Sequence, residues 1–188
     1  VAKKALEAYL INSAALLDVL IYWAPFEIKG KYKFFNILLD FLYPDRVVIG
    51  TSSSRANNIM RNLYLPIIKK KSRYFHTSRR AAELIKYASN AFLATKISYI
   101  NEISNLCEKS DIDVNEISVG IGLDERIGDR FLRAGPGYGG SCFPKDTRAL
   151  LATAKKFNTE LSIVNSAVKS NDNRHNILTS KVMKIMNN

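Results

Sequence analysis

The chain has 188 residues, 47% of them hydrophobic, which suits one good-sized domain or one and a half and is enough to fill a core. Two cysteines give no disulfide framework and point to a reducing cytoplasm. A net charge of +11 fits an anionic partner, whether a phosphorylated small molecule, nucleic acid or a membrane surface.

Ala5, Leu10, Ala14, Leu17 and Ile21 recur at near-helical spacing and predict a helix. Glu7, Asn12 and Asp18 interrupt this apolar stretch and argue against a membrane span. Lys3 and Lys4 ahead of it mimic a signal peptide, but no small-residue cleavage site follows. Lys29-Gly30-Lys31 reads as a turn. Arg46–Gly50 is a β-branched run closed by glycine, a buried strand by pattern. Ser52 to Ser54 offer N-caps for a helix through Ile59, Leu63 and Tyr64 that stops near Pro66. Lys69-Lys70-Lys71 reads as a solvated loop and Tyr74–Thr77 as a second strand.

Arg79–Lys109 lacks Gly and Pro and predicts one helix of roughly 45 Å. Leu84, Ile85, Ala88, Ala91, Phe92, Ile97, Ile100, Ile103 and Leu106 put apolar groups on several of its faces. Such a helix is covered by neighbours, and in a small chain some of these come from a second subunit. Cys107 within it reads as a core residue. Asp113 with Glu116 resembles a capping box before a short helix ending near Gly120. Helical patterns resume over Lys145–Phe157 and from Leu161 onward. His76 and His175 lack metal-ligand spacing and read as structural or surface residues, so no metal is expected.

The chemistry concentrates in Gly135-Pro136-Gly137-Tyr138-Gly139-Gly140-Ser141-Cys142-Phe143-Pro144-Lys145-Asp146. A flexible glycine loop delivers Cys142 to the start of a helix whose early Pro144 needs no N–H partner. A helix N-terminus and a nearby cation, Lys145, both favour a thiolate, and Asp146 stands beside them as an acid or base. Lys86 and Asn90 lie four apart on one helix face and can meet one ligand. Asp129–Gly135 presents Arg130 and Arg133, whose guanidinium groups suit phosphate, and Phe131 and Tyr138 offer flat faces for a base or sugar.

Gly139-Gly140-Ser141-Cys142-Phe143-Pro144-Lys145-Asp146 resembles the active-site signature of the UDP-glucose/GDP-mannose dehydrogenase family, and Phe143 leans toward its UDP-glucose branch. The segments Tyr43–Gly50, Ala82–Asn90, Ile121–Gly128 and Phe131–Gly135 are similar to further parts of the family. The resemblance implies a mainly α chain: a central helical, 6-phosphogluconate-dehydrogenase-like dimerisation domain with a remnant α/β Rossmann edge on its N-terminal side. The implied boundaries are 1–78 for the remnant, with 1–39 unmatched, 79–160 for the central domain, and 161–188 leading toward a sugar-nucleotide domain.

The resemblance further implies oxidation of UDP-glucose to UDP-glucuronate with NAD through a cysteine thiohemiacetal and thioester. Cys142, Lys86, Asn90 and Asp146 take the catalytic roles. Lys86, Asn90, Arg126, Phe131, Leu132, Arg133, Ala134, Gly135, Tyr138 and Gly139 bind substrate, and Lys145 approaches NAD. Arg126 is the counterpart of an arginine given across a homodimer.

Two family features are not in these residues. No Gly-x-Gly-x-x-Gly follows a strand, and the family's catalytic glutamate position falls on Gly30. Two expectations follow: a catalytic-core fragment of such a dehydrogenase, or a non-catalytic basic helical dimerisation or binding module. Nucleic acid is the weaker partner for the second, because no aromatic-basic recognition motif is present.

Overall fold

The computed structural model describes residues 20–23, 44–66, 68 and 73–187. The chain divides into two compact units, residues 1–86 and 87–188. Described residues 44–187 are dominated by helices, in line with the mainly α expectation.

The first unit holds a three-stranded sheet in the order β1 (Leu20–Trp23), β2 (Arg46–Gly50), β3 (Arg73–Thr77). β2 and β3 run parallel, with Val47 opposite Tyr74 and Ile49 opposite His76. Between them lies helix α1 (Ser54–Tyr64), started by Ser53, whose Oγ accepts from the Ala56 N–H at 3.2 Å. That hydroxyl satisfies one of the four donors a helix start leaves open. Val47 and Ile49 from β2 bury against Met60 and Tyr64 from α1, with Leu63, Ile68 and Tyr74 packed around them. Gly50 closes β2 because residues 78–82, where the helix after β3 begins, lie on top of it. A Cβ there would stand 2.7 Å from the Ala82 Cβ and 2.8 Å from the Arg79 Cα.

The helix expected through Ile21 is corrected at its end: Leu20–Trp23 form β1, antiparallel to β2, with Ile21 opposite Ile49. A run of Leu, Ile, Tyr and Trp fits a pleated surface well, and pairing with the edge of β2 overrides the near-helical spacing. The rest of that predicted helix, the turn at Lys29–Lys31 and the lysine run at 69–71 lie outside the described residues.

Helix α2 (Arg79–Ser110) is continuous from one unit into the other. The second unit adds α3 (Val114–Gly122), α4 (Phe143–Lys156) and α5 (Ser162–Met186). Asp113 caps α3, its carboxylate accepting from the Asn115 N–H at 2.9 Å, and Glu116 places a negative charge in the first turn. The core gathers Ala91, Ala94, Ile100 and Cys107 of α2, Leu150 of α4, and Ala167 and Val168 of α5. The Ser98 hydroxyl of α2 donates to the Ala167 carbonyl of α5 at 2.9 Å. Phe92, Tyr99 and Leu106, seven residues apart along α2, remain 66%, 52% and 62% exposed. No described helix is long and apolar enough to cross a membrane.

Candidate active site

Side chains of α2 and α3 hold the loop that follows α3. Lys96, two turns beyond Asn90, donates its ammonium to the carbonyls of Ile127 (2.9 Å) and Gly128 (3.3 Å). Partial burial pushes that lysine below its ordinary range, against the pull of Asp129. The Ser118 hydroxyl donates to the Leu132 carbonyl at 2.7 Å, and the Leu132 side chain is buried beneath the loop. Phe131 takes φ +64, a left-handed backbone that costs a non-glycine residue about 1 kcal/mol or more. Its ring meets Phe143 edge to face, with centroids 6.1 Å apart. Tyr138 is also buried and meets the same Phe143 ring at 6.0 Å. Burial pushes its hydroxyl upward, opposed by a hydrogen bond with Thr147.

Phe143 is the first residue of α4 and Pro144 the second, so the helix begins one residue before the proline expected at its first position. Cys142 is the N-cap, exposed, with its side chain making no capping hydrogen bond. Its thiol lies 3.8 Å from the Ser141 hydroxyl. Its carbonyl accepts from the Asp146 N–H at 2.9 Å, so cysteine and aspartate stand one turn apart on the same helix.

Asp146 is fully buried. Asn90 donates its amide Nδ2 to Asp146 Oδ2 at 2.7 Å, across 56 residues of sequence. The Lys145 ammonium sits 2.8 Å from Oδ1 while most of its side chain faces solvent. That contact and the Asp146 charge raise the Lys145 ammonium above its ordinary range. Cys142, Lys145, Asp146 and Asn90 are therefore gathered by two helices: an exposed thiol, a buried carboxylate behind it, a cation and an amide. A carboxylate oriented by an amide donor can hold and deprotonate a water, and a thiol at a helix N-terminus can add to an electrophilic carbon.

The remaining predicted residues fall elsewhere. Lys86 lies in α2 four residues before Asn90, as the last residue of the first unit. Arg126 is exposed and doubly bound to Asp124, its Nη2 at 2.6 Å from Oδ2. Each member of that pair favours the charged form of the other. Arg133 and Gly139 are exposed on the loop, Ala134 and Gly135 half-buried. His76 lies on β3 with its Nε2 3.0 Å from the Thr51 carbonyl oxygen, and His175 is exposed on α5.

Three residues that sequence reasoning passed over hold the loop. Asn101 accepts the Gly135 N–H at 2.8 Å, Arg174 donates to the Gly135 carbonyl at 2.9 Å, and Asn171 bonds both backbone groups of Tyr138. The available signal was an amide and a guanidinium three apart in a helix, a spacing that shares one face.

A mainly helical unit presenting a cysteine on a glycine loop defines a class. Residues 80–173 match the central-domain model of the UDP-glucose/GDP-mannose dehydrogenase family, and the chain belongs to that family. It is 53% identical over 146 residues to a UDP-glucose 6-dehydrogenase of Rhizobium meliloti, covering 77% of this chain and 33% of that relative. It is 47% identical over 148 residues to one of Bacillus subtilis, covering 79% and 33%. Among solved structures, a UDP-glucose dehydrogenase of the archaeon Pyrobaculum islandicum superposes with a TM-score of 0.71 at 36% identity, covering 82% of this chain and 34% of that one. The chain thus spans about a third of the length of these relatives.

Proposed function

We propose that this chain carries the cysteine chemistry of a UDP-glucose 6-dehydrogenase, which takes the C6 alcohol of UDP-glucose to a carboxylate with NAD. The observation that supports it most is the exposed Cys142 at the start of α4, one turn from a buried Asp146 that Asn90 holds at 2.7 Å. The names of the relatives supply the substrate.

In this reading the Cys142 thiolate attacks the C6 aldehyde. A carbon–sulfur bond forms, the carbonyl electron pair moves to oxygen, and a proton completes the thiohemiacetal. Lys86 steadies the oxygen while it is negative. After oxidation to the thioester, a water oriented by Asn90 gives its proton to Asp146 and adds to the acyl carbon. The carbon–sulfur bond breaks, the thiolate returns to Cys142, and UDP-glucuronate leaves. Phe131, Leu132, Arg133, Ala134, Gly135, Tyr138 and Gly139 line the sugar-nucleotide site, with Arg126 reaching a second subunit's substrate.

NAD accepts the electrons of both oxidations in the whole enzyme. The described residues do not form a dinucleotide cradle. The spacing Gly135, Gly137, Gly140 follows a coil segment and not a strand, and Lys145 offers a single cation. No step is therefore assigned to this chain through the cofactor. Two free cysteines suit a reducing cytoplasm, and the exposed row of Phe92, Tyr99 and Leu106 suits the same row of a second copy.

The test is Cys142→Ser in the intact enzyme, with UDP-glucose and NAD. The expected result is an enzyme that stalls at the aldehyde level, losing the second equivalent of NADH. Full four-electron turnover by that variant would contradict the covalent role. A chain that neither binds UDP-glucose nor supports turnover, yet dimerises, would favour the non-catalytic module.

A further inference from the structure

The segment leading to Cys142 has no secondary structure to hold it. Residues 132–139 lie in neither helix nor strand, so their backbone groups have no ladder. Side chains take over at both ends of a four-residue stretch. At Gly135 the N–H goes to Asn101 Oδ1 (2.8 Å) and the carbonyl accepts from Arg174 Nε (2.9 Å). At Tyr138 the N–H goes to Asn171 Oδ1 (2.7 Å) and the carbonyl accepts from Asn171 Nδ2 (3.1 Å).

Arg174 is 7% exposed, and its hydrogen-bond acceptors are all neutral. Besides Gly135 it reaches Asn105 Oδ1 at 2.6 Å, Ser104 Oγ at 3.3 Å and the Asn101 carbonyl at 3.5 Å. A buried cation without a directly bonded carboxylate is costly and persists only where its donors are well used. A guanidinium fork can serve α2 and the loop together, which the compact ammonium of a lysine cannot. Between the anchors, Gly137 takes φ +105, and a Cβ on it would stand 2.6 Å from Asn171 Oδ1. The glycine is what lets Asn171 reach the Tyr138 backbone.

We infer that Asn101, Asn171 and Arg174 are positioning residues, a side-chain clamp that fixes the Gly135–Tyr138 backbone and through it the start of α4 that carries Cys142. The path from clamp to thiol is short. The Tyr138 ring packs on Phe143, the neighbour of Cys142 and the first residue of the same helix. The clamp rests on geometry alone, whereas its importance for the reaction rests on the function proposed above.

The test uses the full 188-residue chain with Arg174→Ala, Arg174→Lys and Asn171→Ala, read by hydrogen exchange and by iodoacetamide alkylation of Cys142. In Arg174→Ala and Asn171→Ala, exchange of the Gly135 and Tyr138 amides speeds up about tenfold or more, while α2 and α5 keep their protection. Alkylation at neutral pH slows by about threefold or more as the helix start loosens. Guanidinium ion at about tens of millimolar, far below denaturing strength, restores both readouts in Arg174→Ala but not in Asn171→Ala. Arg174→Lys behaves like Arg174→Ala without rescue.

Unchanged exchange at both amides overturns the clamp. So does protection lost together across α2, α4 and α5, which would make the residues general fold supports, and so does a failed guanidinium rescue. If Arg174→Ala does not fold, Asn171→Ala carries the same decision. Normal alkylation with a loosened loop would overturn the link to Cys142. A failed Cys142→Ser test beside a confirmed clamp would remove only the dehydrogenase reading.

Discussion

Replacing Asn90 with alanine isolates the contact that joins α2 to the cysteine helix. It removes the amide donor 2.7 Å from a carboxylate that is fully buried, and a hydrogen bond to a charged group contributes about 1.5–3 kcal/mol. The Lys145 contact at 2.8 Å does not compensate, because most of that side chain faces water and its attraction is screened. Asn90→Ala is therefore expected to destabilise the helical unit by about 1.5–3 kcal/mol. At a urea m-value of about 1.5 kcal/mol/M, that is a fall in midpoint of about 1–2 M by helical circular dichroism. Lys145→Ala should move the midpoint less. The cycle is closed with Asp146→Leu, which removes the group that needs the donor; in that background Asn90→Ala should add under about 0.5 kcal/mol. An Asn90→Ala midpoint equal to the parent's, or an equal cost in both backgrounds, refutes the idea that the amide supports a buried carboxylate.

Tyr64 gives a prediction in the first unit. Burial, with Tyr74 nearby, pushes its hydroxyl to about 12 from 10.0. The folded chain keeps this proton to higher pH than the unfolded chain does, so the contribution is complete below pH 10 and is lost as pH climbs toward 12. By about pH 11 the loss is about 1.4 kcal/mol. Urea unfolding at about pH 9 and about pH 11 should show that extra loss in the parent and not in Tyr64→Phe; equal slopes in both would refute it. For the proposed dimer, Phe92→Glu with Leu106→Glu should convert the chain to monomer in sedimentation, and an unchanged mass would remove α2 as the contact.

Local rules reached the regular elements well. Arg46–Gly50 was legible because β-branched residues end at a glycine, and α2 because thirty residues pass without Gly or Pro. Cys142 at a helix start was legible because Pro144 fits only the first turn. β1 was not, since a four-residue strand exists only by pairing with β2, and no periodicity encodes a partner 24 or more residues away. Nor was the pairing of Asn90 with Asp146 readable from spacing, because tertiary folding alone joins positions 56 apart. The loop supports Asn101, Asn171 and Arg174 stayed hidden for a related reason. Polar residues on a helix usually face water, and only the fold turns these three toward an unladdered backbone.

The two thiols also differ in a way an experimenter can exploit. Cys107 is enclosed in the helical core and Cys142 lies open at the end of its loop. A maleimide dye added to the folded native chain will therefore mark a single place, with no engineered cysteine and none removed. The rate of that labelling with and without added UDP-glucose then tests whether the proposed site is filled, before any redox chemistry is attempted.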